Sequence, residues 1–274
     1  MADGCLNFDT NINKEGFEKG LKSLSDMVGD IKPKLKSLAM AVTAAFSVKK
    51  LVDFGRQSIE TASDLAEVQN VVDTAFGESK QKMEDFADTA VKTYGISKLT
   101  AKQTGSNFMA MAAGMGLAND SASDMAMALT GLSADMASFY NVGQDVASTA
   151  LKSIFTGETE TLKQFGIVMT DANLQAYALS KGITKSTADM SQAEKVQLRY
   201  NYVMSQTALA QGDFAKTSDS WANQTRILSE QWKEFGATIG TVLMNVLLPA
   251  VKAINSVLSQ LIALAQGAAR SLSE

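Results

Sequence analysis

Apolar residues recur every three or four positions along most of this chain, the spacing that places them on one face of an α-helix. The first clear stripe predicts an amphipathic helix over Lys14–Val28, and it consists of Phe17, Leu21, Leu24 and Val28. Pro33 suits the first turn of a second helix, because the N–H that proline lacks has no helical partner there. The spacing extends this second helix to about Phe76, and Gly77 is expected to cap its end.

The same period predicts a series of helices downstream, separated by glycines and polar turns. They cover about residues 78–94, 101–115, 120–140, 142–155, 172–180, 193–210 and 218–235. Two of the starts have capping-box spacing, Thr100 with Gln103 and Ser191 with Glu194. The helix over 101–115 carries almost no charge and is dense in small residues and methionine. It is therefore predicted to be buried on most sides or to pack closely against its neighbours.

Residues 6–12 have a different pattern, in which Leu6, Phe8, Thr10 and Ile12 alternate with polar residues. This alternation predicts a short, half-buried strand, which would have to pair with another chain or with a distant segment. With only two prolines and abundant helix-forming residues elsewhere, the chain is predicted to be all-α. We expect an elongated or loosely packed array of amphipathic and apolar helices with at most this one short N-terminal strand. The pattern leaves open whether the helices are packed or extended.

The C-terminal stretch from Phe235 to Ala269 is strongly apolar, and Lys252 is its only charged residue. Its candidate packing or membrane-contacting residues are Gly236, Gly240, Leu247 and Leu258. The two glycines form one G-x-x-x-G, a motif that lets apolar helices approach closely. Three interpretations remain open for this stretch. It forms a buried helical hairpin or oligomer seam, it inserts conditionally into a membrane, or it spans one permanently.

Composition and charge exclude several classes of function. The chain has no histidine, the commonest general base and metal ligand. Its single cysteine, Cys5, cannot form an internal disulfide and fits a reducing cytosol. The net charge of −4, with both signs interspersed, gives no basic surface for specific nucleic-acid binding. No phosphate-binding loop or nucleophile motif occurs. We therefore expect no catalytic residue, no cofactor and no metal site, and a protein that is not an enzyme.

The stretch over residues 147–178 resembles a segment of phage tail tape-measure proteins. In that family a helix ends at a Gly-Glu-Thr turn, and a Leu-Lys pair, a Gly-Ile and an Ala- and Tyr-rich helix follow. The matching residues here are Ile154, Phe155, Gly157, Glu158, Thr159, Leu162, Lys163, Phe165, Gly166, Ile167, Ala172 and Leu174. The structural motif is assigned to Gly157, Glu158, Thr159, Leu162 and Gly166. Gly157 is expected there for backbone reasons, and Glu158 is expected to interact with a helix dipole rather than with a substrate.

A second resemblance lies far from the first, because the opening LNFDTNINKEGFEKGLKSLSDM is similar to tape-measure N-termini. The resemblance is strongest over Leu6–Leu24 and Ser121–Leu179, and the order of these segments is its most persuasive feature. We divide the chain accordingly. Residues 1–30 form an N-terminal arm and first helix, 31–217 form the helical tape-measure-like region, and 218–274 form apolar C-terminal helices. The best boundary candidate is the gap around Gly212–Asp219.

The resemblance implies a virion structural protein that acts as a ruler. Such a protein occupies the tail lumen, tail-tube subunits polymerise around it in the host cytoplasm, and it leaves ahead of the DNA during ejection. The implied partners are tail-tube and tail-tip proteins, a tail assembly chaperone, further copies of the chain and the host membrane on ejection. Because the family is usually much longer, we expect an N-terminal region or a shortened homologue. The alternative is a helical membrane-active protein that forms pores with the same apolar C-terminal helices.

Overall fold

The computed structural model describes residues 48–271, with the side chains of residues 53–245, 248 and 252. The predicted strand over residues 6–12, the predicted helix over 14–28, and Cys5 and Pro33 lie outside these described residues. In the described part every regular element is helical, and this confirms the predicted all-α class.

The helices follow one another with short connections. They are α1 (Val48–Phe76), α2 (Lys80–Tyr94), α3 (Lys98–Gly114), α4 (Asn119–Phe139), α5 (Gln144–Leu151), α6 (Ser153–Thr156), α7 (Glu160–Lys163), α8 (Asp171–Ser180), α9 (Gln192–Gln206), α10 (Asp213–Thr217) and α11 (Trp221–Ser271). Single 3₁₀ turns at Gly77–Ser79 and Thr187–Asp189 precede α2 and α9.

Contacts between backbone positions separate two compact units, one over residues 58–240 and one that contains the described residues 48–57 and 241–271. The gap around Gly212–Asp219, the predicted domain boundary, lies inside the larger unit. In that unit the helices pack around one continuous hydrophobic core. The sequence leaves open whether the helices are packed or extended, and over residues 58–240 they are packed.

Helix α4 lies at the centre of this core, and all nine of its residues from 129 to 137 are buried. Small residues let neighbouring elements approach it. A Cβ on Gly131 would lie 2.9 Å from the ring of Tyr94. Helix α3 packs on α4 with Phe108 and Met109 fully buried, but Gln103, Asn107 and Ala110 of the same helix are exposed. Of the two alternatives predicted for the helix over 101–115, the structure supports close packing against neighbours rather than burial on most sides.

The helix ends confirm two of the predicted caps and correct a third. Gly95 has a φ of +63° and ends α2 as predicted, and Ser191 with Glu194 forms the predicted capping box of α9. The Thr100–Gln103 box is wrong, because α3 begins three residues earlier with Ser97 as its cap. The side chain of Ser97 accepts the backbone N–H of Thr100.

Two further predictions about helix extent need correction. The helix predicted over 142–155 is divided into α5 and α6, with a break at Lys152. The C-terminal helices predicted over 218–274 are one helix, α11, which runs through Pro249 for 51 residues. Proline removes one i→i−4 hydrogen bond and tends to bend a helix, yet α11 continues on both sides of Pro249. A helical hairpin within this segment is therefore excluded.

None of the helices over residues 48–271 combines the length and the apolar character that crossing a membrane requires.

Candidate functional site

The Gly-Glu-Thr turn begins at Gly157, which ends α6 in the left-handed conformation with a φ of +79°. The N–H of Gly157 donates to the carbonyl oxygen of Ser153 at 2.7 Å. Side chains with a Cβ are strained at this φ, so the backbone itself requires glycine here. The backbone role expected for Gly157 is thus a positive φ at the end of α6.

A second requirement for glycine comes from Arg199 of α9, whose guanidinium packs against the turn. A Cβ on Gly157 would lie 2.7 Å from Nη2 of Arg199. Nη1 of Arg199 donates to the carbonyl oxygens of Ile154 and Phe155, both at 3.4 Å. A cation is favoured at a helix C-terminus, where carbonyl groups lack helical partners. Arg199 therefore anchors the end of α6 to α9.

Arg199 is partly removed from solvent at this position, and burial lowers the pKa of its guanidinium. The nearby Asp171 carboxylate opposes this shift. The sequence analysis does not identify Arg199. A signal was present, since Arg199 is three residues after Val196 and four before Val203, two fully buried residues of α9. A charge within a helical apolar face often has a specific partner.

The rest of the motif forms a second reversal of the chain. Thr159 precedes α7, and Leu162 in α7 is fully buried. Gly166 has a φ of +75°, and the N–H of Ile167 donates back to the carbonyl oxygen of Leu162 at 3.2 Å. Glu158 is exposed, and its backbone N–H donates a long hydrogen bond to Oγ1 of Thr156, with an N···O distance of 3.5 Å. Gly157, Leu162 and Gly166 thus have backbone or packing roles in the motif.

Aromatic side chains hold the two reversals against the core. The ring of Phe155 stacks on Phe108 of α3 with centroids 6.0 Å apart. The ring of Phe165 meets Tyr140 edge-on at 5.0 Å, and the Tyr140 hydroxyl donates to the carbonyl oxygen of Phe165. The Tyr202 hydroxyl donates to the carbonyl oxygen of Val168 at 2.9 Å. These contacts connect the motif to α3, to the end of α4 and to α9.

One small cavity of about 150 Å³ adjoins the motif. It is lined by Asp171, Leu174, Thr187, Ala188, Lys195, Leu198 and Arg199. Within residues 48–271 no group of three or more acidic, cysteine or histidine side chains is arranged to hold a metal ion.

A partly buried polar cluster joins α1, α2 and α3. Nζ of Lys102, a residue only 6% exposed, donates to Oε2 of Glu84 at 2.7 Å and to Oε1 of Gln69. Gln69 in turn donates to the other oxygen of Glu84 at 2.8 Å. The cluster satisfies its members internally, and this is the arrangement that a buried charge requires.

One glycine of the apolar segment, Gly240, lies where α11 meets α1. Gly236 and Gly240 are both buried. A Cβ on Gly240 would overlap the backbone carbonyl of Ser58 and would approach Cβ of Ala62 to 2.9 Å. Leu247 and Leu258 belong to the same helix, but their side chains lie outside the described set. Among the described residues, Gly240 is thus a point of close helix packing.

Two carboxylates attach α11 to the start of α3. Oε2 of Glu230 accepts the backbone N–H of Ser97 at 3.1 Å, and Oε1 of Glu234 accepts that of Lys98 at 3.0 Å. These N–H groups lack helical partners, and a helix N-terminus favours negative charge. The sequence analysis does not anticipate this role, because the partners are more than 130 residues apart.

Comparison of the chain with models of known protein families, with curated proteins and with solved structures found no match.

We expect Gly157→Val to destabilise the protein by at least about 1 kcal/mol, because valine resists a positive φ and would displace the Arg199 guanidinium. Glu158→Gln is the matched control at the next position. It should cost only about 0.3 kcal/mol, the scale of a surface interaction with a helix dipole. Urea denaturation of both variants measures the difference. If Glu158→Gln instead abolished a biological activity with folding intact, Glu158 would be a functional residue and the motif would not be purely architectural.

Proposed function

We propose that this chain is a structural protein of a phage tail, a tape-measure-like ruler for assembly of the tail tube. The observation that carries the proposal is the order of two resembling segments, with Leu6–Leu24 at the start and Ser121–Leu179, which contains the Gly157 turn, far downstream. The packing of the turn adds support. Its residues serve the backbone and the core, as expected for a motif whose role is architecture rather than chemistry.

The proposed mechanism requires helices and contact surfaces rather than a reaction centre. Tail-tube subunits would polymerise around the protein until its length is covered, with tail-tip proteins and an assembly chaperone as further partners. During ejection the protein would leave the tube ahead of the DNA, and the apolar C-terminal part of α11 would meet the host membrane. These partners follow from the resemblance. The all-α fold is consistent with the helical protein that the resemblance implies.

The decisive experiment lengthens the gene in the phage or prophage that encodes it. An in-frame duplication of a helical segment should lengthen the tail by up to about 1.5 Å per added residue, the rise of an α-helix. Electron micrographs of purified tails give the length, and mass spectrometry of the same particles should find the chain. A stop codon at the insertion point is the control, and it should prevent assembly of tails of normal length.

Tails of unchanged length from both alleles would contradict the ruler. The membrane-active alternative would gain support if, in addition, the isolated chain released dye from lipid vesicles.

A further inference from the structure

The cavity of about 150 Å³ beside the motif lies between α8, α9 and the 3₁₀ turn that precedes α9. We call it the α9 cavity. Two cations of α9, Lys195 and Arg199, line it together with Asp171 of α8 and the apolar Leu174 and Leu198. A concave site where a few charged groups converge between apolar walls is a typical place for a ligand to bind.

The two cations of the α9 cavity lack the anionic partners that partly buried charges normally have. Lys195 and Arg199 are four residues apart on α9, and both are partly buried. In the part of the chain that the structure describes, neither side chain forms an ion pair, and Nζ of Lys195 donates no hydrogen bond. Like charges at this spacing repel each other along a helix. An anion bound between them would relieve this repulsion.

The guanidinium of Arg199 uses only part of its hydrogen-bonding capacity in the turn. Its Nη1 donates to the two carbonyl oxygens at the end of α6, whereas Nε and Nη2 donate to no residue that the structure describes. Neither atom is among the described side-chain nitrogens that are shut off from solvent without a partner. Nε–H and Nη2–H of a guanidinium are parallel donors, and together they match the two oxygens of a carboxylate. One edge of Arg199 thus holds the turn, and the other edge is available to a carboxylate.

The carboxylate that the protein itself places at the cavity does not occupy this edge. Asp171 is near enough to Arg199 to oppose the fall in the pKa of the guanidinium, but its side chain is exposed and no ion pair joins the two residues. Two positive charges and one negative charge leave the cavity with one positive charge. This balance suits a ligand with a single negative charge, and Asp171 would repel a dianion such as phosphate.

The size and the walls of the cavity fit a small group rather than a large ligand. Pockets for drug-sized ligands have volumes of about 300–1,000 Å³, at least about twice the volume of the α9 cavity. Leu174, Leu198 and Ala188 offer apolar surface to the methylene groups that carry a carboxylate. Thr187 also lines the cavity, and its hydroxyl forms no hydrogen bond with a described residue, so it can donate one to a ligand oxygen.

We propose that the α9 cavity binds a carboxylate group through the Nε–Nη2 edge of Arg199 and the ammonium group of Lys195. Two sources supply this chemistry, a small free carboxylate and the acidic side chain of a partner polypeptide. The proposal stands on the cavity and does not depend on a role in phage tails.

The chain offers a direct probe, because its only arginines are Arg56, Arg199, Arg226 and Arg270. Lysine substitutions at the other three assign the NMR signal of the Arg199 Nε–H by elimination and leave the turn untouched. Titration of the full-length protein with sodium acetate, at an ionic strength held constant with chloride, should shift this signal until it saturates. Lys195→Gln should weaken acetate binding about fivefold, the scale of one partly exposed ion pair.

The matched control is Lys181→Gln, which removes the same charge from a lysine at the end of α8 that does not line the cavity. It should leave the affinity for acetate unchanged. A second titration with N-acetylglutamate N-methylamide, a glutamate side chain between two blocked peptide bonds, separates the two sources. Binding tighter than that of acetate identifies an acidic side chain of a polypeptide, and weaker binding identifies a small free carboxylate.

Three results would overturn the proposal. The first is a shift of the Arg199 signal that does not saturate with either carboxylate. The second is an affinity for acetate that Lys195→Gln leaves unchanged or lowers no more than Lys181→Gln does. The third is tighter binding of inorganic phosphate than of acetate, because the cavity would then prefer the more highly charged anion in spite of Asp171.

Discussion

Replacing Gly240 with alanine is expected to destabilise the protein by about 2–3 kcal/mol, the range of a forced overpacking. The added Cβ would overlap the carbonyl oxygen of Ser58 on α1 and crowd Cβ of Ala62. The overlapping atom belongs to the backbone of another helix, so no rotamer change can relieve it. The two helices would have to separate. Urea denaturation monitored by circular dichroism gives the change in the free energy of unfolding.

Gly55→Ala provides a matched control, because Gly55 lies inside α1 and a Cβ there would meet nothing within 4 Å. Alanine restricts the unfolded chain and favours helix, so this variant should gain about 0.5–1 kcal/mol. The same substitution is thus expected to have opposite signs at two helical glycines. Similar effects of the two substitutions would show that α11 does not cross α1 as closely as the structure has it.

Features that depend on local backbone chemistry could be predicted from the sequence. The end of α2 at Gly95 needs only a residue that tolerates a positive φ, and the capping box of α9 needs only Ser191 and Glu194. The same holds for Gly157 in the turn. Each of these positions is decided by residues within one helical turn, which is the range over which sequence patterns are reliable.

Features decided by distant residues could not be predicted in this way. Thr100 and Ser97 are both acceptable caps for α3, and the choice falls to Ser97, whose backbone N–H is held by Glu230 of α11. Arg199 is part of the turn only because α9 lies beside α6. Both interactions join segments far apart in the chain, so no local pattern contains them.

The second substitution with a large expected effect on stability is at Asp135, a polar residue of α4. Asp135 lies within the buried run of this helix and is only 6% exposed. Its Oδ2 accepts the N–H of Gly212 at 2.7 Å, and its Oδ1 accepts the N–H of Phe214 at 3.2 Å. Phe214 is fully buried, and its ring occupies the space where a Cβ on Gly95 would lie. The Asp135 carboxylate therefore holds the start of α10 in place and positions the buried ring of Phe214 against Gly95.

Asp135→Ala should cost about 3 kcal/mol, because it leaves the two backbone N–H groups without their acceptor in a buried place. Asp213→Ala is the control at a neighbouring carboxylate. Asp213 is partly exposed in the first turn of α10, and its removal should cost less than about 1 kcal/mol. Denaturant unfolding of the two variants compares them directly, and equal losses would show that Asp135 does not anchor α10.

The pH dependence of the same variant tests the electrostatics. Burial raises the pKa of Asp135 above its ordinary value of 3.8, although the N–H groups of Gly212 and Phe214 oppose the shift. A raised pKa means that the folded protein holds this proton more tightly than the unfolded chain does. At neutral pH the ionised form of Asp135 is therefore less stabilising than the protonated form would be, and the fold gains stability as the pH falls through the raised pKa towards 3.8. Alanine has no such titration, so the cost of Asp135→Ala should grow as the solution is acidified through that window. A cost that shrinks instead would mean that the two N–H groups outweigh burial and that the pKa of Asp135 is depressed.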